Sequence, residues 1–184
     1  MSFFELAHER YSVRKFSDRP VEQEKLEHIL EAGRVAPTAV NYQPQRILVL
    51  RGDGMERLKK CTRMTFGAPM ALVIGYDKLE SWKDPQGKDN GDIDASIVAS
   101  HIMFTAWEEG IGATWTGHYN KAALVEEFDL PEYFEPTVIL PMGYPAEDCE
   151  PHPVLHSSRK SMEETVYYDS FEGMNPGIDH KGKH

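Results

Sequence analysis

Asp92-Ile93-Asp94-Ala95-Ser96-Ile97-Val98-Ala99-Ser100-His101-Ile102-Met103-Phe104-Thr105-Ala106-Trp107-Glu108-Glu109 is the stretch on which the fold turns. Ile93, Ile97, Val98, His101, Ile102, Phe104, Thr105 and Ala106 fill much of the circumference of a helix. A surface helix keeps one polar face. A helix this apolar is expected to be covered on more than one side, either as a central core helix or at a subunit interface. Asp92 or Asp94 is expected to cap it. His101, set in an apolar pattern, reads as a packed and hydrogen-bonded histidine before it reads as a ligand.

Outward from this helix the chain alternates helices with a few strands. Helical spacing covers residues 3–9, 22–34 (Leu26, Ile29, Leu30), 55–65 and 120–128. Ala71-Leu72-Val73-Ile74 is a near-continuous apolar run, the pattern of a central strand covered on both faces. Residues 45–50 and 136–142 read as further strands. Asp77 to Gly91 is polar and rich in turn residues, as in a functional lid, with Trp82 either a ligand contact or the anchor of the loop. Ser161-Met162-Glu163-Glu164 has the form of a capping box opening a last short helix. The expected class is α+β, a mixed sheet flanked by helices. One domain is expected over residues 1–170, followed by a C-terminal arm, 171–184.

The 184-residue chain carries 40% hydrophobic residues, enough for a real core. Its net charge of -10 argues against a nucleic-acid partner, so an anionic ligand would need a local cluster of cations. Cys61 and Cys149, the only two cysteines, lie outside any CxxC pattern, which fits free thiols in a reducing cytoplasm. The opening Met-Ser-Phe-Phe-Glu lacks a basic segment and a long apolar run, so no signal peptide is expected. No apolar run approaches bilayer length, so no membrane partner is expected. His152, His156, His180 and His184 lack metal-ligand spacing, and no metal site is expected.

Two stretches have the chemistry to hold a ligand. Arg10-Tyr11-Ser12-Val13-Arg14-Lys15-Phe16 places two arginines four apart around a serine. Guanidinium forks match phosphate oxygens and a hydroxyl adds a compact donor; alone, the same residues also suit a solvated basic turn. In Val35-Ala36-Pro37-Thr38-Ala39-Val40-Asn41-Tyr42-Gln43-Pro44, two prolines exclude a strand or long helix. Its small residues would let a flat ligand approach the backbone, and Asn41 and Gln43 could meet a heterocycle edge; an ordinary helix-to-strand loop is the other reading. Gly110 to Gly117 is not a dinucleotide fingerprint, because a third glycine and a preceding strand are missing.

Three motifs, in this order, are similar to those of the FMN-dependent nitroreductase family: Arg10-x-Ser12-x-Arg14-x-Phe16, Ala36-Pro37-Thr38-Ala39-x-Asn41-x-Gln43-Pro44 and Gly110-Ile111-Gly112-Ala113-x-Trp115-x-Gly117. Gly143-Tyr144-Pro145 and Arg159 come next at matching spacing, and the likeness spans about residues 3 to 166. The resemblance implies an intertwined homodimer with two FMN molecules at its interface and residues 94–109 as the dimer-core helix. It implies that Arg10 and Ser12, with the Tyr11 backbone, bind the FMN phosphate and ribityl end, joined by Arg159 and Lys160. Arg14 would lie near the ribityl chain and pyrimidine edge. Pro37, Thr38, Ala39 and Asn41 would line the isoalloxazine of the other subunit's flavin. Thr116 and Gly117 would bring backbone N–H groups to N5 and O4. The family's Asn and Lys facing the pyrimidine edge have no match in Lys60-Cys61-Thr62-Arg63-Met64.

The resemblance further implies flavin-centred chemistry with no catalytic side chain: hydride from NAD(P)H passes to a small-molecule acceptor such as a nitroaromatic or quinone. Cations near N1 would favour hydride acceptance. A flavin-holding or regulatory dimer without turnover is the alternative, and a structural dimer without cofactor is a third reading.

Overall fold

In the computed structural model, which describes residues 2–174 and residue 177, side-chain alternation along two strands builds core on both faces of one sheet. The strands are β1 (Gln45–Arg51), β2 (Met70–Asp77), β3 (Gly112–Ala113) and β4 (Phe134–Gly143), in the order β1-β2-β4-β3. Successive strand residues point to opposite faces. Met70, Leu72, Ile74 and Tyr76 of β2, with Val138, Leu140 and Met142 of β4, therefore meet α2 (Gln23–Arg34) and α4 (Gly91–Glu108). Ala71, Val73 and Ile139 face the other way, toward Met55 and Leu58 of α3 (Asp53–Leu58) and Leu124 of α5 (Lys121–Phe128). Every residue of β2 is buried, as its apolar run requires.

The α+β class holds, while the sheet's mixed character is confined to one isolated bridge. All four strands pair antiparallel, and the parallel pairing is that between Ser12 and Ala113. A parallel β1–β2 pair would need a crossover returning the chain along the strand. Residues 52–69 instead return the chain to the end of β1 that it has just left, so that Arg51 faces Met70.

Three elements differ in extent or capping from their sequence pattern. The spacing predicts a helix over 55–65, but α3 ends at Leu58. Beyond it the Thr62 hydroxyl donates to His118 O at 2.7 Å and accepts Met64 N–H at 3.1 Å, a side-chain alternative to helical bonding. Neither Asp92 nor Asp94 caps α4. Asn90 is the N-cap, and the Asp89 carboxylate takes the Gly91 N–H at 2.8 Å. Asp92 and Asp94 lie inside the first turn, where carboxylates suit the helix dipole. Asp77 to Gly91 forms a small hairpin closed by Asn90 N–H to Trp82 O at 3.0 Å and by a Lys83–Asp89 bridge. Trp82 is half-buried there.

α4 buries Asp94, Ala95, Val98, Ala99, Ile102 and Ala106 against the sheet and α2. Gly33 permits that approach, since a Cβ there would meet Ile102 Cδ1 at 2.7 Å. On another face of the helix, Ile93 is 51% exposed, and Asp92, Ser96, Ile97, Ser100 and His101 line a shallow groove beside it. His101 Nδ1 lies 3.0 Å from Ile97 O of its own helix.

The chain divides into two compact units, the first ending at Pro151 and the second beginning at His152. In the second, α6 (Met162–Thr165) opens with the expected capping box, formed by Ser161 and Glu164. Val154, Leu155, Met162, Tyr168 and Phe171 of this unit are exposed. The expected arm, 171–184, lies mostly outside the described residues, as do His180 and His184. Among the described residues no helix is long and apolar enough to cross a membrane.

Candidate functional site

The Arg10–Phe16 stretch comes directly after α1 (Phe3–Glu9), whose Ser2–Glu5 capping box sets where the helix begins. Arg10 ends the helix, its N–H bonded to Leu6 O at 3.0 Å. The chain then runs beside β3 and past Tyr144 to Ala146. Val13 N–H donates to Ala113 O at 3.2 Å, the Thr114 hydroxyl donates to Val13 O, and Ser17 N–H donates to Tyr144 O at 2.9 Å. Phe16 bridges Pro145. Val13 is fully buried, so its neighbours Ser12 and Arg14 must face outward. Two motifs far apart in sequence, Arg10–Phe16 and Gly143-Tyr144-Pro145, are thus joined, with Gly110–Gly117 supplying the strand beside the first.

The groups on this stretch are unequally engaged. Tyr11 donates its hydroxyl to Cys149 O at 2.8 Å and packs edge-on against Trp107, ring centroids 5.0 Å apart. Burial, reinforced by the nearby Cys149 thiol and Glu150, pushes its phenol up to about 12. The Arg10 guanidinium lies 5.8 Å from the Phe104 ring centroid. Lys15 is ion-paired with Asp148. Arg14 is exposed and reaches only Ser12 O, at 3.4 Å, making no ion pair among the described residues. By contrast Arg19, Arg34, Arg46, Lys59, Lys60 and Lys121 each pair with a carboxylate within 3 Å. Arg14 is thus a guanidinium with no carboxylate partner among the described residues, on a chain of net charge -10.

The Pro37–Pro44 loop is a 3₁₀ turn, Ala39–Asn41, with a strained backbone. Val40, Asn41 and Gln43 have φ of 46°, 57° and 53°. The left-handed region suits Asn, but a β-branched Val there is an outlier. Gln43 N–H to Thr38 Oγ1 at 3.0 Å closes the turn on itself. One bond ties it to α4, from Ala39 N–H to Asp94 Oδ1 at 2.8 Å. Pro37 and Asn41 are exposed, and Thr38 and Ala39 are half-buried.

Thr116 departs from its expected role. Its N–H donates to Ile139 O at 2.9 Å and its carbonyl accepts Ile139 N–H at 3.0 Å, so this amide belongs to the sheet and is not offered to a ligand. β4 is long enough to pair with the chain beyond β3, and that pairing takes the donor. Gly117 is exposed, and its amide has no acceptor among the described residues. Trp115, between buried Thr114 and Thr116, is 40% exposed. Beside them an open cleft of about 460 Å³ lies between residues 59–64 and His118–Asn120. Lys60 is held there by Glu127 at 2.8 Å, whereas Arg63 is exposed with no ion pair among the described residues. Arg159 and Lys160 belong to the second unit. Arg159 donates to Leu155 O and Ser158 O at 3.0 and 2.8 Å, and Lys160 is exposed.

Sequence reasoning missed the Asp94–Ala39 bond, which joins residues 55 apart. The available signal is an aspartate inside an otherwise apolar helix, which by local chemistry alone suits a cap.

Comparison with known proteins agrees with these motifs. The family model described as Nitroreductase family matches residues 7–66 and 59–144. A Methanothermobacter thermautotrophicus protein named NADH dehydrogenase/NAD(P)H nitroreductase is 33% identical over 163 residues, covering 80% of each chain. The crystal structure of a nitroreductase family protein from Clostridium difficile superposes with a TM-score of 0.87 at 41% identity, covering 92% of this chain and 99% of that one. A Desulfovibrio desulfuricans structure described as a nitroreductase in complex with FMN gives a TM-score of 0.79 at 25% identity, covering 93% and 98%. The chain belongs to the nitroreductase family.

Proposed function

We propose that this protein is an FMN-dependent oxidoreductase that passes hydride from NAD(P)H to a small organic acceptor, such as a nitroaromatic or quinone. The observation that carries this reading is the exposed Arg14 guanidinium beside Ser12, with no carboxylate partner among the described residues of a strongly acidic chain, and pinned to β3 through Val13. FMN, when bound, supplies the redox chemistry. The residues present fit such a group. Arg10, Ser12 and Arg14 would hold its phosphate and ribityl chain, with Tyr11 fixed behind them and Arg159 and Lys160 as further phosphate contacts. Pro37, Thr38, Ala39 and Asn41 would lie against the flat ring, and the exposed Gly117 amide would donate to its polar edge. Arg14 would also favour charge arriving near the pyrimidine end.

The working unit in this proposal is a homodimer. Ile93 on α4, Phe3 and Phe4 on α1, and Tyr168 and Phe171 in the second unit are 51%, 67%, 72%, 83% and 72% exposed. Contiguous exposed apolar surface favours a protein partner; Ile93 and Ile97 line the groove on α4, Phe3 and Phe104 line one that shares Ser100 and His101 with it, and a second copy would cover both. The Pro37–Asn41 loop would then serve the flavin held mainly by the other subunit.

The test is an absorbance spectrum of protein incubated with FMN, then anaerobic titration with NADH and with NADPH. Bound FMN that bleaches, then recovers its colour on adding a nitroaromatic or quinone, is the expected result. Protein that binds no FMN overturns the proposal. Binding without bleaching would instead identify a flavin holder.

A further inference from the structure

We propose that Asp94 is the positioning residue of this site, holding the Thr38–Gln43 turn in its left-handed form from inside α4. This inference rests on the reading that the turn faces the flavin. Asp94 is 1% exposed. Its Oδ1 accepts Ala39 N–H at 2.8 Å, while its Oδ2 is buried with no hydrogen-bond partner among the described residues. A buried carboxylate with one oxygen unmatched is a costly way to hold a loop.

What the carboxylate secures is a backbone the chain resists. Three successive or near-successive non-glycine residues with φ near 50° relax unless something outside them fixes the geometry. Inside the turn, Asn41 N–H to Thr38 O at 3.0 Å, Tyr42 N–H to Ala39 O at 3.1 Å and Gln43 N–H to Thr38 Oγ1 set its curvature. None of these sets its place relative to the body. At the loop's far end Asp77 N–H to Pro44 O at 2.8 Å ties it to β2; at Ala39 the tie is Asp94, in the first turn of a helix packed against β2 and α2. The carboxylate therefore ties the Thr38–Gln43 turn to α4.

The experiment compares wild type, Asp94→Ala and Asp94→Asn as full-length protein. It reads amide hydrogen exchange at Ala39–Gln43 without flavin, and FMN affinity together with the visible spectrum of the bound flavin. In Asp94→Ala, exchange at these amides should rise at least tenfold, FMN affinity should fall about tenfold, and the flavin band should shift. Asp94→Asn keeps an acceptor at the Oδ1 position and should restore all three to within about threefold of wild type. If Asp94→Ala does not fold, Ala39→Pro replaces it. Thr38 is extended (φ -132°, ψ 159°), as a residue before proline must be, and proline suits the first position of a helical turn, so this variant deletes the same donor from the surface. Unchanged exchange and affinity in the alanine or proline variant would overturn the proposal, as would an Asp94→Asn protein as impaired as Asp94→Ala. If wild type binds no FMN but exchange still rises in Asp94→Ala and is restored in Asp94→Asn, the flavin reading is refuted and Asp94 is upheld as the holder of the turn.

Discussion

Gly112→Ala tests whether the Arg10–Phe16 stretch, proposed to bind the FMN phosphate, is held by close packing against β3. A Cβ at Gly112 would come within 2.8 Å of Val13 Cβ and 3.1 Å of Val13 Cγ1, and closer still to Val13 Cγ2. Carbon atoms normally rest about 3.5–4.0 Å apart, so the two segments would have to separate by roughly 1 Å. Val13 cannot turn away. It is fully buried, β-branched, and bonded at both its N–H and its carbonyl to residues 113 and 114. Overpacking of this kind costs about 1–3 kcal/mol, and the rigidity of the contact argues for about 2. Val13→Ala would remove both Cγ contacts but leave the approach to Cβ. The double variant should therefore recover about 1 kcal/mol relative to the sum of the single variants. Urea unfolding at constant m-value gives the stability change, and FMN titration gives the functional one. Displacing Ser12 and Arg14 should weaken FMN about tenfold, or about 1.4 kcal/mol. A Gly112→Ala protein within about 0.5 kcal/mol of wild type, with unchanged FMN affinity, would refute the idea that this packing sets the site.

Arg10→Ala and Arg159→Ala should each weaken FMN binding by about 1.5–3 kcal/mol, the range for hydrogen bonds to charged groups; fluorescence titration reads this, and unchanged affinity in both removes the phosphate assignment. Val40→Gly removes a β-branched residue from φ 46° and should raise stability by about 1 kcal/mol in denaturant unfolding while lowering FMN affinity, because the turn loses its preset shape. Burial holds the phenols of Tyr11, Tyr76 and Tyr119 up to about 12. An alkaline titration monitored at 295 nm should show three of the eight tyrosines ionising late, and Tyr11→Phe should remove one of them. Since the folded value lies above the ordinary one, their contribution to stability is complete below about pH 10 and is lost as pH rises toward 12.

The elements of this fold were legible because they depend on local spacing. The apolar run of β2, the helical repeats of α2, α4 and α5, and the Ser161–Glu164 cap arise from side-chain periodicity and end chemistry, which neighbours in sequence determine. The family was legible for a related reason: Arg10–Phe16, Ala36–Pro44 and Gly110–Gly117 are short motifs whose residue types carry the chemistry. Tertiary pairing decided the rest. The direction of β1 against β2 is set by where residues 52–69 return the chain, with Arg51 facing Met70, which periodicity does not report. Whether the Thr116 amide is free depends on the length of β4, whose Ile139, more than twenty residues onward, takes that donor for the sheet. Asp94 reads as a cap because capping is the local use of an aspartate near a helix start; its actual partner, Ala39, is 55 residues away, and only the packing of α4 beside the loop brings the two together. Backbone donors and buried carboxylates take whichever partner the fold places within reach, and that choice is made in space after local chemistry has chosen the elements.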